Sequence, residues 1–291
     1  MIEKVKRKSL DIKFSGRSSD YISPSFGYGC LLNCSYCYMK RNKATGLSVA
    51  TNVDDILLAI NKHSKQVLES SVINKPNQTD YKYITYDISC NEDFALHSKK
   101  YYNWQKIFEF FKINDNIKAT LATKIVPKHF LSYNPNEKVR IRFSIMPEKI
   151  RKIVEPNTPH IEDRLAAIKT FIAAGYEVHI NYSPVIVYKN WLEDYAKLFK
   201  LVSFYVPEYY KPYVKAEVIF LTHNINKHEY NNKNNIKGEN LLWIPRIQED
   251  KVSEFGGNNI RYKREFKKQY IEEFKKLHKN IIPWNTIRYI F

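Results

Sequence analysis

Five runs rich in β-branched and aromatic residues recur along the first three quarters of the chain, most of them separated by stretches of helical period. The runs are YITYDIS (Tyr83–Ser89), IKATLAT (Ile117–Thr123), VRIRFSI (Val139–Ile145), EVHINYS (Glu177–Ser183) and AEVIFLT (Ala216–Thr222). Each has the length and composition of a β-strand. VDDILLAINKHSKQVLE, YYNWQKIFEFFKI, IEDRLAAIKTFIAAG and WLEDYAKLFKLV read as amphipathic helices. Thr51 and Asn52 supply N-capping residues for the first, and Gly175 a C-cap for the third. Such alternation predicts a parallel sheet covered by helices. With one more strand just before Cys30, the count reaches about six strand–helix units. That is too few to close an eight-stranded barrel, so the expected fold is α/β, a partial (β/α)6 barrel. Active sites of such folds lie at the C-terminal ends of strands. The loops at Cys30 and Cys90 are therefore expected at one mouth.

The ends of the chain differ from this middle. Residues 1–20 read as an N-terminal arm and 21–224 as the barrel. Asn224 to Asn240, rich in Asn and Lys around Gly238, reads as a long loop. Residues 225–291 form a C-terminal basic extension. There FGGNN signals a hairpin turn, YKREFKKQYIEEFKKLHK (Tyr262–Lys279) a basic amphipathic helix, and NTIRYIF a closing strand. No run of 18 apolar residues and no secretory leader is visible, so a cytoplasmic protein without a membrane partner is expected. The net charge of +17 fits a nucleic-acid partner, or simply a chain generally rich in Lys, Asn, Tyr and Ile. From Lys251 onward ten Lys and Arg face four Asp and Glu, interleaved with Phe255, Tyr262, Phe266, Tyr270, Trp284 and Tyr289. Cations that neutralise phosphates beside rings that stack on bases suit nucleic acid. An ordinary solvated helix face has the same pattern.

Three of the four cysteines crowd into GCLLNCSYCYMK as Cys30, Cys34 and Cys37, and the fourth is Cys90. Four cysteines in 291 residues are no disulfide framework, so the cluster reads as a metal ligand set. A structural zinc site usually joins two short loops. Here no second Cys or His pair follows, and His63 is the one histidine between Lys40 and Ser89. Cys90 closing a four-thiolate zinc site stays as an alternative. The other solution is a 4Fe-4S cubane, in which three thiolates leave one iron corner open. Gly27, Gly29, Asn33 and Ser35 permit the tight turn this needs.

Cys30-x3-Cys34-x2-Cys37, with Tyr36 before the last cysteine, resembles the cluster loop of the radical S-adenosylmethionine family. The resemblance implies that S-adenosylmethionine chelates the open iron. Its sulfonium is then cleaved by one electron to a 5′-deoxyadenosyl radical, with Tyr36 packed near the adenine. GYGCLLNCSYCYMK, DISCNEDFAL (Asp87–Leu96), TKIV around Lys124, RFSI around Ser144 and the stretch from Glu155 to Phe199 are similar to the spore photoproduct lyase family, whose members repair a thymine–thymine photolesion in DNA. On that likeness Cys90 returns a hydrogen atom to the product radical, Tyr36 and Tyr38 relay one back, and Asp93, Lys124 and Ser144 lie at the cofactor. A small buried hydrophobe is the bland reading of Cys90. Glu92 departs from the pattern, which has serine there. An acid beside the cofactor carboxylate repels it unless a cation such as Lys124 intervenes.

The same likeness points to the C-terminal hairpin for substrate grip. Arg261, Lys263 and Arg264 flank its tip and are candidates to hold phosphates around a flipped-out lesion, with Tyr262 stacking on a base or packing. DNA is the expected partner, with an electron donor such as flavodoxin or ferredoxin. Two alternatives remain open: a radical enzyme modifying another nucleobase in DNA or RNA, and a non-catalytic zinc-dependent nucleic-acid-binding module.

Overall fold

The computed structural model describes residues 2–14, 18, 20–37, 39, 47–70, 80, 82–101, 103–252 and 257–291. The chain divides into two compact units, each assembled from separate stretches. The first takes residues 1–30, 46–143 and 167–179, and the second takes 31–45, 144–166 and 180–291.

Along the chain come β1 (Ile2–Val5), β2 (Tyr21–Ile22), β3 (Gly27–Tyr28), β4 (Leu47–Ala50), α1 (Val53–Glu69), β5 (Ile84–Asp87), α2 (Phe94–Tyr101), α3 (Trp104–Ile113), β6 (Ile117–Thr123) and β7 (Val139–Ile145). Then follow α4 (Glu148–Val154), α5 (Ile161–Ala173), β8 (Glu177–Val185), α6 (Trp191–Tyr205), β9 (Ala216–Phe220), β10 (Thr222–His223), α7 (Ile225–Lys233), α8 (Glu239–Leu242), β11 (Gln248–Val252), β12 (Asn258–Tyr262), α9 (Arg264–Ile281) and β13 (Ile287–Ile290). The main sheet has seven strands in the order β13-β9-β8-β7-β6-β5-β2. Five of them, β5 to β9, are the expected runs, and β2 stands at the edge expected of the strand before Cys30. The fold is the α/β partial barrel, and β13 adds a parallel edge beside β9.

In the first unit β2, β5, β6 and β7 run parallel. Along β7, Val139, Ile141, Phe143 and Ile145 alternate with Arg140, Arg142 and Ser144, yet all seven residues are buried. The charged face is kept dry by pairing, as buried charges require. Arg140 meets Asp20 at 3.5 Å, Asp80 at 3.0 Å and Glu177 at 2.7 Å, and Arg142 meets Asp87 at 2.6 Å. Apolar stripes of α1 (Ile56, Leu57, Ile60) and α3 (Trp104, Ile107, Phe108, Phe111) are buried. His63 packs edge-on to Tyr21 and bonds the Tyr86 hydroxyl at 2.8 Å, so it serves the core. Gly175 follows α5 at φ +88°, where a Cβ would lie 2.0 Å from Asn134 Oδ1. That makes it the expected left-handed cap.

In the second unit β8, β9 and β13 run parallel. Phe199 of α6 and Phe274 of α9 meet edge-on at 5.3 Å beneath Tyr182. β10, β12 and β11 form a small antiparallel sheet. Among the described residues no helix is long and apolar enough to cross a membrane.

Two expectations are corrected. The strand before Cys30, Gly27–Tyr28, pairs antiparallel with β4 in a three-stranded sheet with β1. The main sheet begins instead at Tyr21–Ile22. The stretch from Asn224 to Asn240 is not one long loop but holds α7 and α8. Asn224 caps α7 by accepting from the Lys227 amide. The helix buries Lys227 and Asn231, polar residues whose support is tertiary and so invisible to apolar periodicity.

Candidate active site

The entry to the cysteine loop is fixed by backbone pairing in the first unit. Gly29, at φ +94°, donates its N–H to the Asn91 carbonyl at 3.0 Å and bridges Glu92 in parallel fashion. Asn91 Nδ2 in turn donates to Ser25 Oγ at 2.5 Å. The segment running into Cys30 therefore lies against the loop after β5 that carries Cys90. Both cysteines are half-buried and outside any disulfide.

The residues just after Cys90 and Asn91 face inward or cap. Glu92 turns its carboxylate onto His97 Nδ1 at 2.8 Å, with both side chains 2% exposed. By sequence Glu92 is an acid facing a cofactor. In the structure a buried histidine receives it. Asp93 is equally engaged: it accepts from Thr123 Oγ1 at 2.8 Å, the Lys124 amide at 3.0 Å and the Leu96 amide at 3.2 Å. It thus ties the ends of β5 and β6 together and caps α2. Lys124 is held there through its backbone and stays half-buried.

The rest of the loop belongs to the second unit. Cys34 is buried, and Cys37 donates its amide to the Cys34 carbonyl at 3.1 Å, closing a turn. Ser35 between them is held at three points. Its amide donates to Val154 O at 2.8 Å, its hydroxyl to Lys237 O at 3.0 Å, and its carbonyl accepts from Asn231 Nδ2 at 2.9 Å. Asn231 also bonds Glu239, which accepts from His223 at 2.9 Å and His228 at 2.6 Å. Burial pushes the Glu239 carboxyl upward, but the hydrogen bonds from His223, Asn231 and His228 outweigh it and hold the group below the usual range. So the α7–α8 segment braces the cysteine loop.

Tyr36 is the second anchor. Its hydroxyl donates to Glu155, and burial, then the Glu155 charge, push the phenol well above its ordinary pKa. Glu155 is buried with Arg164 at 3.4 Å, their side chains 1% and 0% exposed. Arg164 donates onward to the carbonyls of Ser144 at 2.6 Å and Pro159 at 2.9 Å. Ser144 is buried, its hydroxyl accepting from Asn181 at 3.2 Å. A chain of contacts thus joins Tyr36 to the end of β7. Sequence reasoning misses Glu155, Arg164 and Asn231. The one trace of Glu155 is the Glu-Pro-x-Thr start of a longer stretch. Tyr38 lies outside the described residues.

The hairpin places its cations differently from expectation. Val252 pairs with Asn258, and Ser253 to Gly256, where the sequence signals the turn, lie outside the described residues. Arg261, Lys263 and Arg264 sit at or beyond the Gln248–Tyr262 end of the ladder, opposite the Val252–Asn258 end, rather than around the tip. Arg261 pairs with Glu249 at 2.9 Å. Tyr262 is 1% exposed, and its hydroxyl accepts from the Val187 amide at 2.9 Å. That burial leaves it the packing role of the two considered. Lys263 precedes α9 and Arg264 opens it, exposed.

Among the described residues no group of three or more His, Cys, Asp and Glu is gathered so as to hold a single metal ion. None of the four cysteines forms a disulfide. Three soft donors within eight positions, on a turn braced through Ser35 and Tyr36, fit an iron–sulfur cluster, where each thiolate takes its own iron.

A partial barrel with a three-cysteine loop after its first strand defines the class of the radical S-adenosylmethionine enzymes. Within that class the chain belongs to the spore photoproduct lyase family, whose profile matches residues 4–291. It is 27% identical over 216 residues to a spore photoproduct lyase of Bacillus subtilis (strain 168), covering 73% of this chain and 59% of the relative. A spore photoproduct lyase of Clostridium acetobutylicum is 26% identical over 206 residues, covering 68% of this chain and 56% of the relative. The chain thus spans less than two thirds of the curated relatives it matches. Among solved structures, a spore photoproduct lyase complexed with dinucleoside spore photoproduct superposes with a TM-score of 0.86 at 21% identity, over 100% of this chain and 82% of the other. A mutant of such a lyase with bound AdoMet and the same dinucleoside gives 0.86 at 20% identity.

Proposed function

We propose that this chain is a radical S-adenosylmethionine lyase that repairs a thymine–thymine photolesion in DNA. The observation that carries the reading is the Gly29–Asn91 hydrogen bond of 3.0 Å, which brings the segment running into Cys30 against the loop that carries Cys90. Membership of the family and the lesion named for its relatives support the substrate. The net charge of +17 suits DNA.

In this reading Cys30, Cys34 and Cys37 would hold a 4Fe-4S cluster, which would bind S-adenosylmethionine. When bound, the pair supplies a carbon-centred radical that abstracts hydrogen from the lesion. Lys124 and Ser144 would contribute to holding the cofactor, and Asp93 and Glu92 fix the loop after β5. Cys90 gives the hydrogen atom of its thiol to the carbon radical left after the thymines part, becoming a thiyl radical. Tyr36 and Tyr38 would stand in the relay that restores the Cys90 thiol, giving a phenolic hydrogen atom toward the thiyl radical and regaining one from the methyl group of 5′-deoxyadenosine. Tyr36 is oriented for this by Glu155. Arg261, Lys263 and Arg264 attract phosphates beside the lesion. The reducing electron comes from a small carrier protein of the flavodoxin or ferredoxin kind.

The test is anaerobic: protein reconstituted with iron and sulfide, then given dithionite, S-adenosylmethionine and dinucleoside spore photoproduct. Conversion to the undamaged dinucleoside supports the proposal. Intact lesion alongside released 5′-deoxyadenosine contradicts the substrate.

A further inference from the structure

The exposed side of α9 distributes its charges unevenly. At about 100° per residue, Arg264, Lys268, Lys275 and Lys279 fall within an arc of roughly 60°, its midline about 110° around the helix from Phe274, which is buried. At about 1.5 Å per residue the row extends about 22 Å along the axis. All four side chains are exposed. Arg264, Lys268 and Lys279 make no ion pair among the described residues. Lys275 pairs with Glu272 at 3.4 Å, at 46% and 66% exposure. The helix's other acids, Glu265 and Glu273, lie beyond the row on its far flank. Four aligned cations with two exposed carboxylates, Glu272 and Glu265, on one flank keep a net positive charge and repel one another, and a polyanion relieves that repulsion. The row also continues from Arg261 and Lys263, at the base of the hairpin just before the helix.

We propose that this face of α9 tracks the phosphate backbone of duplex DNA beside the lesion, so that affinity is drawn from nucleotides the radical chemistry never touches. The inference rests on the DNA-lesion reading above. A duplex carries one charge per about 1.7 Å of axis, so a row about 22 Å long finds a phosphate for each cation. Glu272, beside the row, works against the contact.

The experiment compares the reconstituted wild-type protein with the variant Lys268→Gln, Lys275→Gln, Lys279→Gln. Its readout is binding of a duplex of about 20 base pairs across a salt series, with thermal melting confirming that both proteins are folded. Every cation withdrawn from a phosphate lowers the slope of log affinity against log salt by about 0.9, so the triple variant drops it by about 2 to 3. Glu272→Gln tightens binding at low salt. Turnover of the dinucleoside lesion, which has no flanking duplex, stays at the wild-type rate. An unchanged slope overturns the assignment, as does a drop confined to an RNA duplex with DNA binding unmoved. If wild-type protein leaves the dinucleoside uncut, the proposed function fails while the slope comparison still reports on the helix.

Discussion

The Tyr36 hydroxyl donates to Glu155, and the same carboxylate faces Arg164 at 3.4 Å with neither charged side chain open to solvent. A residue between Cys34 and Cys37 is thus tied to a buried ion pair 119 positions away. Replacing Glu155 with Leu strands the Arg164 guanidinium and should cost about 3–5 kcal/mol, read from denaturant unfolding. Arg164→Leu in the same protein should restore part of it, giving a coupling energy of about 0.5–3 kcal/mol. Strict additivity would show that the pair does not act as a unit.

Glu92 is expected to behave as an internal residue. Glu92→Ser should lower unfolding stability by about 1–3 kcal/mol, because His97 loses its buried partner. The dissociation constant for S-adenosylmethionine should stay within about twofold, a difference of only about 0.4 kcal/mol. A tenfold change in cofactor affinity would place the carboxylate against the cofactor after all.

On the proposed function, Cys90 acts after the cofactor chemistry, in product formation. Cys90→Ala should keep the iron content and the release of 5′-deoxyadenosine, while correct lesion reversal falls by more than about tenfold, equal to about 1.4 kcal/mol of barrier. Unimpaired reversal would remove the thiol from the hydrogen-return step.

Stability should also carry the signature of Glu177. Burial pushes this carboxyl upward, but Arg140, His179 and Lys118 more than compensate and hold it well below the usual range. Its folded value lies under the unfolded one of about 4.3. The stabilisation is therefore complete above that pH and is lost as pH falls through the folded value. Denaturation midpoints between pH 7 and 3 should decline at the acid end, and Glu177→Gln should flatten that decline. Equal acid slopes in both proteins would count against the network.

The parts of this architecture readable from sequence are those with local causes. β6 and β7 match their β-branched runs to the residue, and Gly175 marks a helix end through its own backbone freedom. α7 escapes because what steadies it is distant: Asn231 reaches Ser35, and Asn231, His223 and His228 share Glu239. Arg140 and Arg142 alternate like a solvent-facing edge, and only the folded acids around them reveal a buried face. Tyr262 looks available for stacking because a single sequence does not tell which side of β12 faces the core. At the site, the cysteine spacing is self-evident. The Tyr36–Glu155–Arg164 chain is not, since it joins residues with no shared periodicity.

The central claim is an iron cluster on Cys30, Cys34 and Cys37 with one corner open to S-adenosylmethionine. Its most direct measurement is the electron paramagnetic resonance spectrum of anaerobically reconstituted, dithionite-reduced protein with and without S-adenosylmethionine. The account predicts a reduced-cluster signal that shifts when the cofactor is added. A signal indifferent to the cofactor, or a protein that takes up zinc without iron or sulfide, would contradict it.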